Sequence, residues 1–211
     1  MAHWRVNARG KTMSCPSLLL FDLGGVLVES SVFEHLRRLL AEPRQDQDIK
    51  ERWLFSPCVR QFERGEISAD EFAKAFVAEW RLELTPKAFI RAFSSWPRKF
   101  YPGARETIQQ LRKTYRVGCL SNSNPLHFMQ FDGVEEVFDI GLFSHLIGAI
   151  KPDREIFTLA ISKCDVEPAD IYFFDDCMAN VRTAQSTGIN AFCVDGFNSL
   201  QRLLRLEGLN F

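Results

Sequence analysis

The stretch Leu18-Leu19-Leu20-Phe21-Asp22-Leu23-Gly24-Gly25-Val26-Leu27 decides the fold. Leu18 to Phe21 is a continuous apolar run that ends on a carboxylate, with two glycines close behind. Such a run reads as a strand covered on both faces of a sheet, with a turn at its carboxyl end. Val117 to Leu120, Ile171 to Phe174 and Ala191 to Val194 repeat the pattern, and a further short strand is expected at Ser144 to Ile147. Helical stretches lie between the later runs: Ala104 to Lys113, Arg154 to Lys163, and Ala179 to Thr187 with Gly188 as its C-cap. Strands and helices in alternation give an α/β fold class with a Rossmann-like parallel sheet.

The segment after the first strand differs. Ser31-Val32-Phe33-Glu34 and Ser68-Ala69-Asp70-Glu71 match the capping box, in which a Ser hydroxyl and a Glu carboxylate satisfy unpaired N–H groups at a helix start. Phe72, Phe76 and Trp80, then Phe89, Phe93 and Trp96, recur at helical spacing. Thr85-Pro86 suits a cap followed by an N1 proline. The aromatic stripes are expected to form the core of a small helical bundle, and they leave the oligomeric state open. Glu42 to Arg52 is charge-rich and reads as a solvated face or loop. The expected organisation is a disordered leader over 1–16, with Met13 an alternative start, a sheet core over 17–30 and 100–211, and an inserted α-helical cap over 31–99.

With 26 Lys and Arg against 27 Asp and Glu in 211 residues, the formal charge is -1. There is no basic field to hold nucleic acid or an anionic membrane surface. Hydrophobic residues at 46% and charged residues at 25% describe a globular chain and exclude a disordered or fibrous one. The six cysteines show no metal-type spacing, and the simplest reading is a reduced, cytoplasmic protein.

Ligands of an open parallel sheet bind outside the carboxyl ends of its strands. Asp22, then Ser121 and Asn122, then Asp175 and Asp176 follow the expected strands, and Lys151 precedes a helix. Three carboxylates, a hydroxyl and an ammonium should therefore meet at one sheet edge. Clustered carboxylates raise one another's pKa unless a cation joins them, and an oxygen-only ligand set suits Mg²⁺ better than zinc.

In this arrangement the chain resembles the haloacid dehalogenase superfamily from about Ser17 to Val194. The matching pieces are Phe21-Asp22-Leu23-Gly24-Gly25-Val26-Leu27, Leu120-Ser121-Asn122, Ile150-Lys151-Pro152-Asp153 and Phe173-Phe174-Asp175-Asp176 with Asn180. The insert is placed like the family's C1 cap. Gln61-Phe62-Glu63-Arg64-Gly65-Glu66-Ile67-Ser68 is similar to the cap of a subgroup that includes sugar-phosphate phosphatases and the phosphatase domain of soluble epoxide hydrolases.

The resemblance implies a Mg²⁺-dependent phosphatase of a small phosphorylated substrate, with Asp22 as nucleophile forming an aspartyl-phosphate. It implies that Ser121 and the backbone near Asn122 bind the phosphoryl oxygens, and that Lys151 neutralises their charge. Asp22, the Gly24 carbonyl, Asp175 and Asp176 would hold the metal, with Asn180 orienting a ligand or water.

One position departs from the family pattern. Its phosphatases usually carry a second Asp two residues after the nucleophile as general acid, and here that residue is Gly24. The proton could come from a cap side chain, water or the substrate; the leaving group could need little help; or the chain could be an impaired binding protein. A 2-haloacid dehalogenase, which needs no metal, is a third reading, disfavoured by Asp175-Asp176. His127 is a candidate substitute acid or a packing residue. Arg60 and Arg64 are candidate anion contacts or solvated charges. Cys177 reads as an inert thiol near a helix start and Cys119 as core.

Overall fold

The computed structural model describes residues 4–6, 12–29, 31–40, 45–96, 99–131 and 133–211. Strands β1 (Trp4–Val6) and β2 (Thr12–Ser14) pair antiparallel, followed by β3 (Leu18–Phe21). Five helices come next: α1 (Val32–Leu39), α2 (Asp46–Phe55), α3 (Pro57–Glu63), α4 (Ala69–Trp80) and α5 (Pro86–Ser94). The chain then runs through α6 (Ala104–Leu111), β4 (Arg116–Ser121), α7 (Pro125–Phe128), α8 (Val134–Val137), β5 (Ile140–Phe143) and α9 (Ser144–Ile147). It ends with α10 (Arg154–Cys164), β6 (Ile171–Asp175), α11 (Met178–Ser186), β7 (Asn190–Cys193) and α12 (Phe197–Leu206).

The main sheet has the order β5-β4-β3-β6-β7, with every pairing parallel. Phe21 stands level with Cys119 on one side and Phe174 on the other. The chain therefore leaves β3 toward one half of the sheet and returns to the other half. This creates a switch point between β3 and β6, where the loops diverge and leave a crevice.

All four residues of β3 are fully buried, as the apolar run requires. Leu19 and Phe21 pack with Ile108, Leu200 and Leu204 on one face, and Leu18 and Leu20 with Phe157 and Ala184 on the other. The α1 to α5 insert has its own core. Phe62 stacks on Phe72 at 4.3 Å and Phe76 on Phe89 at 4.7 Å, so the aromatic stripes face each other inside the bundle. Ser68 and Glu71 complete the expected capping box, and Thr85 caps α5 ahead of Pro86.

Four local expectations are corrected. Ser144 to Ile147 is helix α9, and the strand is the preceding Ile140–Phe143, whose register against β4 satisfies its backbone. Ser31 precedes α1 but sits in the right-handed helical region, so its side chain makes no cap bond; a capping residue needs an extended backbone. Asp46 to Arg52 belongs to α2, while 42–44 lie outside the described residues. The leader, expected to be disordered, contains the β1–β2 ribbon. The six cysteines form no disulfide, and no described helix is long and apolar enough to cross a membrane.

Candidate active site

Parallel register brings the residues that follow β3, β4 and β6 to one edge. Asp22, Asp175 and Asp176 each offer an oxygen within 4.8 Å of the others. Lys151, only 1% exposed, sits in the middle of this group. Its Nζ donates to Asp175 Oδ2 at 2.7 Å and to the Leu120 carbonyl at 2.9 Å, and lies 3.0 Å from Asp22 Oδ1. The ammonium is thus held by three oxygens on three strands' ends. Burial alone lowers a lysine pKa, but Asp175 and Asp22 outweigh it and raise that of Lys151, so the side chain is charged at neutral pH.

Each neighbour has a distinct task. Asp175 is fully buried and accepts from Lys151, from Asn180 Nδ2 at 2.9 and 3.0 Å, and from the Cys177 N–H at 2.8 Å. Its oxygens are engaged in positioning Lys151 and the start of α11. Asn122 clamps the Lys151 main chain from both directions: Nδ2 donates to the Lys151 carbonyl at 3.0 Å, and Oδ1 accepts from the Lys151 N–H at 2.9 Å. Ser121 is buried at the end of β4, with its hydroxyl in a long 3.3 Å bond to the Asn122 carbonyl. A bond of that length is readily exchanged for a ligand oxygen.

Burial raises the Asp22 pKa above the ordinary carboxylate value; Lys151 opposes that shift and Asp175 adds to it. The Leu23 N–H holds Asp22 Oδ1 at 2.7 Å. Asp176 is pushed up to about 7, first by burial and then by the charges of Asp22 and Asp175, with Lys50 and Lys151 opposing. Asn180 Oδ1 is buried with no hydrogen-bond partner, beside an Asp175 already satisfied by the same amide's nitrogen. Crowded carboxylate oxygens, a carboxyl driven toward protonation and an orphaned amide oxygen are the donor chemistry of a hard divalent cation with its water, so the residues fit Mg²⁺.

The glycines after Asp22 serve different purposes. Gly25 has φ +74°, and a Cβ there would lie 2.5 Å from Asp176 Oδ2, so the backbone needs glycine to come this close to the carboxylate. A Cβ at Gly24 would meet nothing within 4 Å. The first atom of a side chain there would find open space.

The edge opens into a cavity of about 510 Å³ between core and cap. Asp22, Gly24, Ser121, Asn122 and Asp176 line it from the core, and Phe33, Lys50, Trp53 and Glu63 are among its cap residues. Reading Glu42 to Arg52 as a solvated face or loop missed that Gln47, Lys50 and Glu51 line the cavity, since an exposed helix bordering a cavity carries charge just as any surface helix does.

The remaining candidates settle elsewhere. His127 is 1% exposed, shares hydrogen bonds with Asn124 (3.1 Å) and the Phe93 carbonyl (2.9 Å), and packs on the Phe93 ring. It joins α7 to the cap and is absent from the cavity wall. Arg60 grips both oxygens of Asp153 at 2.8 and 2.6 Å, and Arg64 joins the same carboxylate. Both arginines thus hold α3 to the loop carrying Lys151, away from the cavity lining. Cys177 does line it, but burial raises its thiol pKa, and Cys119 is core as expected.

Comparison with known proteins agrees with this geometry. A D-ribitol-5-phosphate phosphatase of Bacteroides thetaiotaomicron is 27% identical over 184 residues, covering 82% of this chain and 89% of the relative. A phosphatase of Mycobacterium tuberculosis is 26% identical over 208 residues, covering 85% and 87%. Among solved structures, a HAD family enzyme of Bacteroides thetaiotaomicron in complex with magnesium and inorganic phosphate superposes with a TM-score of 0.71 at 25% identity, covering 90% of this chain and all of that one. The family model for haloacid dehalogenase-like hydrolases matches residues 16–188, and with the fold and sheet-edge cluster in agreement the chain belongs to that family of hydrolases.

Proposed function

We propose that this protein is a Mg²⁺-dependent phosphatase of a small phosphorylated metabolite, working through an aspartyl-phosphate on Asp22. The observation that carries the reading is Lys151: a buried cation bridging Asp22 and Asp175, with Ser121 and Asp176 beside the same cavity. Asp22, Asp176 and the Gly24 carbonyl would hold the metal, with Asp175 adjoining. When bound, Mg²⁺ supplies the positive charge that lets a carboxylate and a phosphate approach each other.

The chain's own residues do the rest. An Asp22 oxygen forms a bond to phosphorus as the ester P–O bond breaks, and water later cleaves the aspartyl-phosphate, releasing phosphate and restoring the carboxylate. Lys151 and the Ser121 hydroxyl compensate charge on the phosphoryl oxygens. The cap covers the cavity and limits water. The name of the Bacteroides thetaiotaomicron relative supports a phosphorylated carbohydrate as substrate class, and the magnesium and phosphate of the solved neighbour support metal use and a phosphoryl site.

The test is inorganic phosphate release from a panel of sugar, nucleotide and organic acid phosphates, with Mg²⁺ and with chelator. Release that requires both the metal and Asp22, lost in Asp22→Asn, is the expected result. Silence across the panel with retained phosphate binding would make the chain a binding protein instead.

A further inference from the structure

We propose that Lys50, on cap helix α2, is a catalytic residue that stabilises the leaving oxygen in place of the acid missing at Gly24. The inference rests on the phosphatase reading above and assigns a role to a residue outside the core motifs.

Two independent observations carry it. The first is the open space at Gly24, where a Cβ would meet nothing within 4 Å although the residue lines the cavity with Asp22. The second is the reach of Lys50. It belongs to the cap, yet its Nζ lies 3.8 Å from Asp176 Oδ2 in the core, and its ammonium sits 5.6 Å from the centre of the Phe33 ring, which keeps it over the cavity. Among the described residues that line the cavity, Lys50 carries the one positively charged side chain.

Attacking and leaving oxygens lie roughly in line in phosphoryl transfer. Asp22 attacks from the core, so the leaving oxygen departs toward the cap, the side from which Lys50 enters. As the Asp22–phosphorus bond forms and the ester P–O bond breaks, the departing oxygen carries away the electron pair. The Lys50 ammonium donates a hydrogen bond to it, and the oxygen takes its proton from water. Lys50 keeps its proton throughout, and water then hydrolyses the aspartyl-phosphate. Positive charge fixed where negative charge develops lowers the barrier in proportion to the charge that appears.

That proportionality separates catalysis from a plain cap–core ion pair. A half-exposed pair of this kind holds a lid weakly, and its loss would slow every substrate alike. A leaving-group stabiliser matters most when the leaving alkoxide is most basic.

The experiment measures kcat/KM for phosphate release, with Mg²⁺ present, for p-nitrophenyl phosphate, phenyl phosphate and an alkyl phosphate such as ribitol 5-phosphate. The enzymes are wild type, Lys50→Met, Lys50→Arg and Lys50→Met combined with Gly24→Asp, each checked for folding by circular dichroism. Lys50→Met is expected to lose on the order of 10²-fold or more on the alkyl ester but less than about fivefold on p-nitrophenyl phosphate, whose leaving group departs unaided. Lys50→Arg retains most of the alkyl activity, and Gly24→Asp restores part of it to Lys50→Met. A uniform loss across the esters, or none, overturns the proposal. Failure of wild type to release phosphate from any ester, or release indifferent to Asp22→Asn, refutes the phosphatase reading itself.

Discussion

Replacing Lys151 with methionine isolates the electrostatics of the site. Methionine keeps a long flexible stem that can pack where the lysine stem runs, beside the Phe173 ring that lies 5.4 Å from Nζ, so the loss of packing is small. The loss of charge is not small. The Asp22 and Asp175 carboxylates, now 3.0 and 2.7 Å from a buried ammonium, would face each other without it. Breaking a buried pair by removing one partner costs about 3–5 kcal/mol, because an uncompensated charge stays behind. At roughly 2–4 °C per kcal/mol for a domain of this size, the melting temperature should fall by roughly 6–20 °C.

The penalty should also depend on pH, with a definite sign. Burial and the neighbouring Asp175 charge raise the Asp22 pKa against the pull of Lys151, so without Lys151 the Asp22 carboxyl takes up a proton still more readily in the folded than in the unfolded state. A carboxyl with raised folded pKa destabilises only where it is ionised, so the deficit is small near pH 4, grows as pH rises, and levels off above the folded pKa. Urea unfolding of wild type and Lys151→Met at pH 4.5 and 8 measures this. Adding Asp175→Asn to Lys151→Met removes one orphaned charge, so the double variant should lose less than the sum of the singles, by about 0.5–3 kcal/mol. Wild-type stability in Lys151→Met at pH 8, or additive losses, would refute the view that the ammonium is held in place by these two carboxylates.

Other predictions bear on the metal and the cap. Because Asp176 titrates near 7 without a cation, protons compete with Mg²⁺; calorimetry should find affinity falling as pH drops from 8 to 5.5. Gly25→Ala combines a positive φ with a Cβ 2.5 Å from Asp176 Oδ2, so it should weaken Mg²⁺ binding and cost about 1–2 kcal/mol, whereas Gly24→Ala should leave both nearly unchanged in the same titrations. His127→Ala removes the buried 2.9 Å bond to the Phe93 carbonyl, leaves that carbonyl only its 3.3 Å bond from the Trp96 N–H, and loses the packing on the Phe93 ring; it should lower stability by about 1–3 kcal/mol while the pH–rate profile keeps its shape, which a catalytic histidine would not allow.

The parts of this protein that were legible in sequence are those whose surroundings are uniform. A strand covered on both faces has to be apolar along its buried length, so β3, β6 and the buried part of β4 announce themselves, and the polar residues at and just beyond their ends mark the sheet edge. Ile140 to Ile147 has no such uniformity. It contains two short apolar pairs, and pairing with β4, which local periodicity does not record, makes the first pair strand and leaves the second to α9. The cap–core contacts were illegible for a related reason. Arg60 meets a carboxylate 93 residues away, and nothing around either residue specifies the other. Helix α2 is the most instructive case. Ile49 is its buried apolar residue, and Gln47, Lys50 and Glu51 are solvent-exposed and at the same time line the cavity. A helix that closes a site holding an ionic substrate has to present charge to water before the substrate arrives. Its sequence therefore looks like a solvated surface, and only the Lys50–Asp176 approach across the cavity separates the two.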